Sequence, residues 1–495
     1  MAKKKSLAQF FLLFFTAAAL AAAPSIKAGG SIVVAIATEP DHLDPYQATT
    51  ADTRAILFNI FEGLVKPDTD GNLVPAVAAS LPTISPGFTV YTFTIRKGLK
   101  FHNGKAVAAA DVKYSLDTAA AAKYPGLAAI KSVEAIGADK VKVTLASPDN
   151  DFLPYLTVAI VPAGYADQNT APIGTGPFAV ESFKPQVELV LKKNASYWQK
   201  DLPRLDKVIF KLESDSNASI LDLQAGSVDF ASIADNAVAQ QLKASYAIQA
   251  NNSNAVQQLD LNQAFKPFAD KRVRQALSYA VDPGEIINTV NFGVGTRAGS
   301  PVIPAFKVAY DSNLTYAYKK DLDKAKKLLA DAGYASGLKF TITVPSNYKV
   351  HVDTAQVIVS ELAAIGVQAD IVQVDWPTWI SKVYQGKDYQ ATIISVDGAN
   401  LSPKSFLGRY VTGDSGNFFN YSNKDFDALF TQAGKEPSAK KRIDLYKKAQ
   451  ALLSTDAANV YIQDIANINV LKNGLSGISN YPLYVTDVST IYYTK

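Results

Sequence analysis

The chain of 495 residues has no cysteine. That excludes disulfides, thiolate metal sites and a lipid-bearing N-terminal cysteine. Histidine is nearly as scarce, with three in all: His42, His102 and His351. They lie far apart, so no cluster with metal-ligand spacing can be drawn from them. Beyond the N-terminus no apolar run approaches ~18 residues without a charge, so no later membrane-spanning helix is expected. Short internal repeats and low-complexity segments are missing as well. An excess of either charge is also absent: 49 Lys and Arg stand against 45 Asp and Glu.

The small basic surplus has a local origin. Lys3, Lys4, Lys5 and Lys27 fall within residues 1–28, which hold no acid. Without these four lysines the 49 bases fall to 45, equal to the acids. No basic stripe remains to bind nucleic acid. Lys3–Lys5, the apolar Phe10–Phe15 and the Ala-rich 17–23 read as a secretory signal peptide. A membrane anchor is the alternative, but the run is short for a span of ~20 residues. Cleavage is expected between 21 and 28, after Ala21 or after Ala28.

What is present is a large apolar share, 48% of residues, with 19% charged. That suits a big core in two or three domains. Strand-period alternation marks 31–37, 141–145, 188–192 and 208–212. Tyr91, Phe93 and Ile95 alternate with polar neighbours and lead to an Asn103-Gly104 turn. A helix follows, with Val112, Ser115, Leu116 and Ala119 on one face. Residues 55–64 are apolar at helical spacing. Asp321 can cap a helix with Ala325, Leu328, Leu329 and Ala332 inward and Gly333 past its end. Val357, Ile358, Leu362 and Ile365 predict another, stopped by Gly366, then a strand over 367–374. Residues 440–453 form a third amphipathic helix. Interleaved strands and helices imply α/β or α+β layers.

Several short motifs occur in order. They are Leu43-Asp44-Pro45, Phe61-Glu62-Gly63-Leu64-Val65, the block from Asp70 to Ser80, and Tyr91 to Ser115. Gly174-Thr175-Gly176-Pro177-Phe178, Asn194 with Tyr197-Trp198, and Gly226-Ser227-Val228-Asp229 follow. The run from Phe268 to Asp282 is the longest, and Ala325 to Gly333 and Trp376 complete the set. Each is weak alone. In this order and spacing the chain resembles the family 5 solute-binding proteins, the peptide-, nickel- and opine-type receptors of ABC importers.

The resemblance implies an α/β, two-lobed periplasmic-binding-protein fold, the large three-domain variant of type II, with a hinge between the lobes. The implied order is signal peptide 1–28, lobe one 29–66, an insert 67–171 and lobe one again 172–266. Lobe two would span 267–471, and 472–495 would return to lobe one. The implied role is capture of a small solute, an oligopeptide first and an opine, sugar derivative or metal chelate as the alternative. Partners would be the ligand and an ABC permease with its ATPase. No catalysis, cofactor, resident metal, nucleic acid or membrane anchor is implied, and the protein would be a periplasmic monomer.

Peptide receptors of the family hold ligand backbone in strand-like fashion. The matching residues here are Thr49, Thr50 and Ala51 (to Asp52) and Ser395, Val396, Asp397, Gly398, Ala399 and Asn400. Tyr124 and Trp376 join them as candidate contacts. The chain departs from the pattern in places. Ala399 stands where an Asp holds the ligand amine; Asp397, two residues earlier, would point to the same face. The dipeptide-receptor Arg is missing near 344–349, where Lys349 is the nearest cation. Ala108 replaces a hydroxyl cap, leaving Asp111 for the helix dipole. His351 is expected as a solvated side chain near the cleft, a chelated metal being its alternative. Gly413-Asp414-Ser415-Gly416 resembles a serine-protease nucleophile segment, but no histidine sits in a triad context. Gly174-Thr-Gly176 lacks the remaining parts of a phosphate loop.

Overall fold

The computed structural model describes residues 26–27, 29–48, 50–233, 236–398 and 400–494. Most of the expected signal peptide lies outside them. Two long strands, Ala247–Leu261 and Val460–Leu471, run side by side and organise everything else. Their outer halves differ in company. Ala247–Asn252 pairs with 466–471, next to a sheet made of Phe230–Ile233, Ser31–Ile36, Lys207–Leu212, Glu188–Lys193 and Phe178–Lys184. Val256–Leu261 instead carries Ala391–Asp397, Leu338–Pro345 and Val367–Val374 on its free side. One sheet thus continues through two lobes. Its register breaks between Asn252 and Val256, where Asn254 takes a left-handed φ of 59°.

The second lobe is a sheet covered on both faces. Leu259 and Leu261 face a core with helices Lys271–Ala280, Leu322–Asp331 and Lys349–Ala363. Val256, on the opposite face, joins a core with helices Lys424–Lys435 and Ala439–Thr455. Alternation along a strand sends successive side chains to these two layers. Arg274, from the longest sequence motif, is buried and holds carbonyls rather than acids. It donates to Phe268, Asp456 and Ala457 at 2.7, 3.0 and 3.1 Å.

The segment between the first strands of lobe one builds its own four-stranded sheet, ordered Thr83–Ile84, Val90–Thr94, Lys140–Leu145, Ile130–Ile136. Tyr91, Phe93, Val112, Leu116 and Ala119 are buried against it. The helix is Ala109–Ala121, with Ala108 as its cap residue. Asp111 keeps the reciprocal half of the cap: its carboxylate accepts from Ala108 N at 2.9 Å, and also from Ala163 N at 2.8 Å and from Lys105 at 2.8 Å. This unit also touches lobe two, where Tyr446 OH donates to the buried Asp151 at 2.7 Å.

The helix expected over 55–64 begins earlier and stops sooner, at Ala51–Leu57. Asn59 ends it by turning its amide to the carbonyls of Ile56 and Thr486. Ile26–Lys27 pairs with Tyr493–Thr494, which ties both ends of the described chain to lobe one.

Candidate functional site

The sequence motifs converge on one junction between lobe one and the inserted sheet. Glu62 is buried and accepts from Tyr197 OH at 2.8 Å, Trp198 Nε1 at 2.9 Å and Thr175 Oγ1 at 3.3 Å. Lys66 closes the cluster at 3.3 Å. His102 bridges to the Gly174–Gly176 turn: Nδ1 accepts from Gly174 N at 3.2 Å and Nε2 donates to Gly176 O at 3.0 Å. Burial lowers its pKa from 6.5 to about 4. Asn194 Nδ2 donates to the same Gly176 carbonyl at 2.9 Å. The glycines permit close backbone approach. A Cβ on Gly174 would lie 2.1 Å from Ile60 O, and one on Gly63 would lie 2.5 Å from Leu156 O.

This junction forms one wall of a cleft of about 750 Å³ between the lobes. Lobe one contributes Tyr46, Ala51, Arg54, Glu62 and Lys66; the inserted unit adds Tyr124 and Tyr155. Tyr484, from the C-terminal segment, lines the mouth and donates to Asp52 at 2.7 Å. The facing wall is Asp397, Gly398, Asn400, Leu401, Phe406 and Arg409 of lobe two. Asn254, from the register break, also lines the cleft. Such a concave, mixed polar and aromatic space suits a small organic ligand.

Among the expected contacts, the structure gathers Ala51, Tyr124, Asp397, Gly398 and Asn400 into this lining. Burial raises the Tyr124 pKa, with the charge of Arg54 opposing it. Asp397 ends the strand Ala391–Asp397 with an exposed side chain. Thr49 and Ala399 lie outside the described residues. Thr50 serves as a helix cap, its hydroxyl accepting from Thr53 N at 3.2 Å. The segment expected to be strand-like is therefore a helix start.

Ser395, Val396 and Trp376 are outside the lining. Val396 is buried in the lobe-two core, and Ser395 sits opposite Gln257 on the other sheet face. Trp376 stacks on Trp379 at 5.1 Å between ring centres and remains 36% exposed. Lys349 pairs with Asp353 on an exposed helix face and does not reach the cleft. His351 is not solvated: it is buried, and its Nδ1 meets Gln257 Nε2 at 2.9 Å. Ser415 sits in an exposed turn held by Gly416 N donating to Asp414 at 2.8 Å. None of the hydrogen bonds of His102 or His351 reaches it.

Sequence reasoning missed Arg54, Asn254, Phe406 and Arg409. Nothing local marks Arg54, Phe406 and Arg409, because the chain brings them in from the first helix, the short helix Pro403–Leu407 and the turn Gly408–Tyr410. Asn254 had one signal: Asn tolerates positive φ, and residues 251–254 read Asn-Asn-Ser-Asn within a strand.

A profile for bacterial extracellular solute-binding proteins, family 5, matches residues 72–418. The chain is 30% identical over 464 residues to the glutathione-binding protein GsiB of Salmonella typhimurium, covering 88% of this chain and 89% of that one. Among solved structures it resembles CtaP, an ABC transporter substrate binding protein of Listeria monocytogenes, at 27% identity and TM-score 0.82. That match covers 95% of this chain and 100% of CtaP. It also resembles DppA of Helicobacter pylori in complex with the peptide STSA, at 26% identity and TM-score 0.71, covering 94% and 99%. The ordered motifs, the two lobes and the cleft between them thus have one explanation: the chain belongs to the bacterial extracellular solute-binding proteins, family 5.

Proposed function

We propose that this chain is the receptor of an ABC importer for short peptides, which it encloses between its lobes and presents to the permease. The observation that carries this is the cleft at the register break of the two connecting strands. Bending there would move Asp397–Arg409 against Ala51–Lys66 while the strand pairing on either side of the break stays intact. Ligand shifts the protein to the closed form only if it binds that form better. Asn254 Oδ1 and both amide atoms of Asn400 are buried, line the cleft and have no hydrogen-bond partner among the described residues. Peptide groups would satisfy them. Of the relatives, one is named for glutathione and one holds a tetrapeptide.

The boundary between moving parts is proposed inside the strands, at Asn252–Val256 on the first and beside Asp464 on the second. Trp376, exposed on lobe two, is proposed to meet ligand only after closure. Export through a signal peptide cut on the early side, after Ala21, would keep the paired strand Ile26–Lys27 in the mature chain. N-terminal sequencing reads that directly.

Calorimetric titration with glutathione, with the tetrapeptide Ser-Thr-Ser-Ala and with an opine tests the ligand class. Saturable binding of a peptide at one site per chain supports the proposal. Silence towards both peptides with binding of the opine overturns the peptide part.

A further inference from the structure

The inserted unit meets lobe two away from the cleft. The loop after strand Lys140–Leu145 carries Asp149, Asn150 and Asp151, and it rests on the junction of helices Lys424–Lys435 and Ala439–Thr455. Asp151 is only 6% exposed. One of its carboxylate oxygens accepts from Tyr446 OH at 2.7 Å, and the other lies 3.6 Å from Arg442 Nε. Asn150 donates through Nδ2 to the carbonyl of Glu436, which also accepts from Arg442 Nη1 at 3.3 Å. Asp149 meets Lys404 at 3.5 Å, and its Oδ1 accepts from Asp151 N at 2.9 Å, which holds the loop in shape. Asp151, Tyr446 and Arg442 are outside the cleft lining.

This contact is built to come apart. The inserted unit is fused to lobe one: Leu64 and Val65 lie in its core, and Ala159 and Val161 lie in the lobe-one core. It must therefore travel with lobe one when the chain bends at Asn252–Val256. Towards lobe two, by contrast, its hydrophobic core shares no residue with either core there, among the described residues. The joint is made by polar and charged groups, which water can serve once they part. Asp70 and Lys307 also pair across it, but both side chains are more than half exposed, so solvent screens them. Asp151 and Tyr446 are buried together, and each satisfies the other.

We infer that the loop Asp149–Asp151 is a latch. It docks on lobe two when the lobes close and lets go when they open, so it sets how long the closed form lasts. It acts from outside the cleft and on any solute enclosed there. The inference rests on bending at Asn252–Val256 and is independent of the class of ligand. Removing either member of the buried pair weakens the closed form and leaves the open form, where both groups are in water, unchanged.

The full chain has no native cysteine, so spin labels go only where they are placed. Ile136→Cys on the inserted unit and Lys448→Cys on lobe two are exposed sites for a label pair. Double electron–electron resonance, without solute and with Ser-Thr-Ser-Ala, should show a short latched distance and a longer open one. Tyr446→Phe and Asp151→Ala should each lower the short-to-long ratio by about tenfold, the scale of a hydrogen bond to a charged group. The double variant should fall little further, because the two residues make one contact. Asn150→Ala, which leaves the lobe-two core untouched, should shift the ratio the same way. A ratio unmoved by the single variants overturns the latch, as do single effects that simply multiply in the double. One distance in wild type under both conditions overturns the latch together with the bending. Two distances that ignore the peptide overturn only the peptide reading, and the variants still decide the latch by their ratio.

Discussion

Acid should loosen this protein through His102, and the effect follows from the burial of its ring, with the bond to Gly176 opposing it. Nδ1 accepts the Gly174 N–H and Nε2 donates to the Gly176 carbonyl. A second proton on Nδ1 would face another N–H, so the folded state holds the ring neutral. Its pKa drops from 6.5 to about 4. A group with a depressed folded pKa gives stability above its unfolded pKa and loses it as pH falls towards the folded value. The window is therefore pH 6.5 down to about 4. Relative to neutral pH, linkage puts the loss at up to about 2.5 kcal/mol by about pH 4.5 from this residue alone. His351, buried and also lowered to about 4, adds a similar slope. The perturbation is His102→Gln, which keeps a donor and an acceptor but cannot titrate. At pH 7 the variant should be the less stable protein, because a flexible amide replaces a packed ring. Urea unfolding at both pH values should show that gap closing, or reversing, by about 2.5 kcal/mol at the acid end. A gap unchanged by pH would refute a neutral His102 in the fold.

Glu62→Gln should destabilise lobe one by about 3–5 kcal/mol, because it leaves Lys66 beside a neutral group and turns an N–H towards buried donors. Scanning calorimetry reads this as a lower first transition; a loss under about 1 kcal/mol would mean that the cluster carries little. Asp260→Asn should stabilise lobe two at neutral pH. Burial raises the pKa of Asp260 well above the ordinary carboxylate range, with Arg409 opposing. For such an acid the stability is present below the unfolded pKa and is lost as pH rises. The advantage of the Asn variant should therefore grow from about pH 4 upward. Parallel pH profiles for the two proteins would count against this.

The scaffold was legible because its signals are local. Asp321 does cap the helix Leu322–Asp331, accepting from Lys324 N at 2.9 Å, and Gly333 follows it with φ 90°. The strand Val367–Val374 falls where the pattern put it, because Gly366 at φ 80° ends the preceding helix and alternation starts at once. Residues 55–64 misled, since their apolar spacing continues past the point where Asn59 and Gly63 turn the chain. The cleft was only half legible. Asp397, Gly398 and Asn400 were reached through resemblance. Arg409 was not, because it comes to the cleft from twelve residues further on than Asp397, by way of the short helix Pro403–Leu407.

Lobe closure on a peptide is the central claim, and small-angle X-ray scattering tests it most directly. Protein freed of bound solute is titrated with Ser-Thr-Ser-Ala and with glutathione. The account predicts a radius of gyration that falls and levels off at one ligand per chain. A radius unchanged at saturating ligand would contradict it.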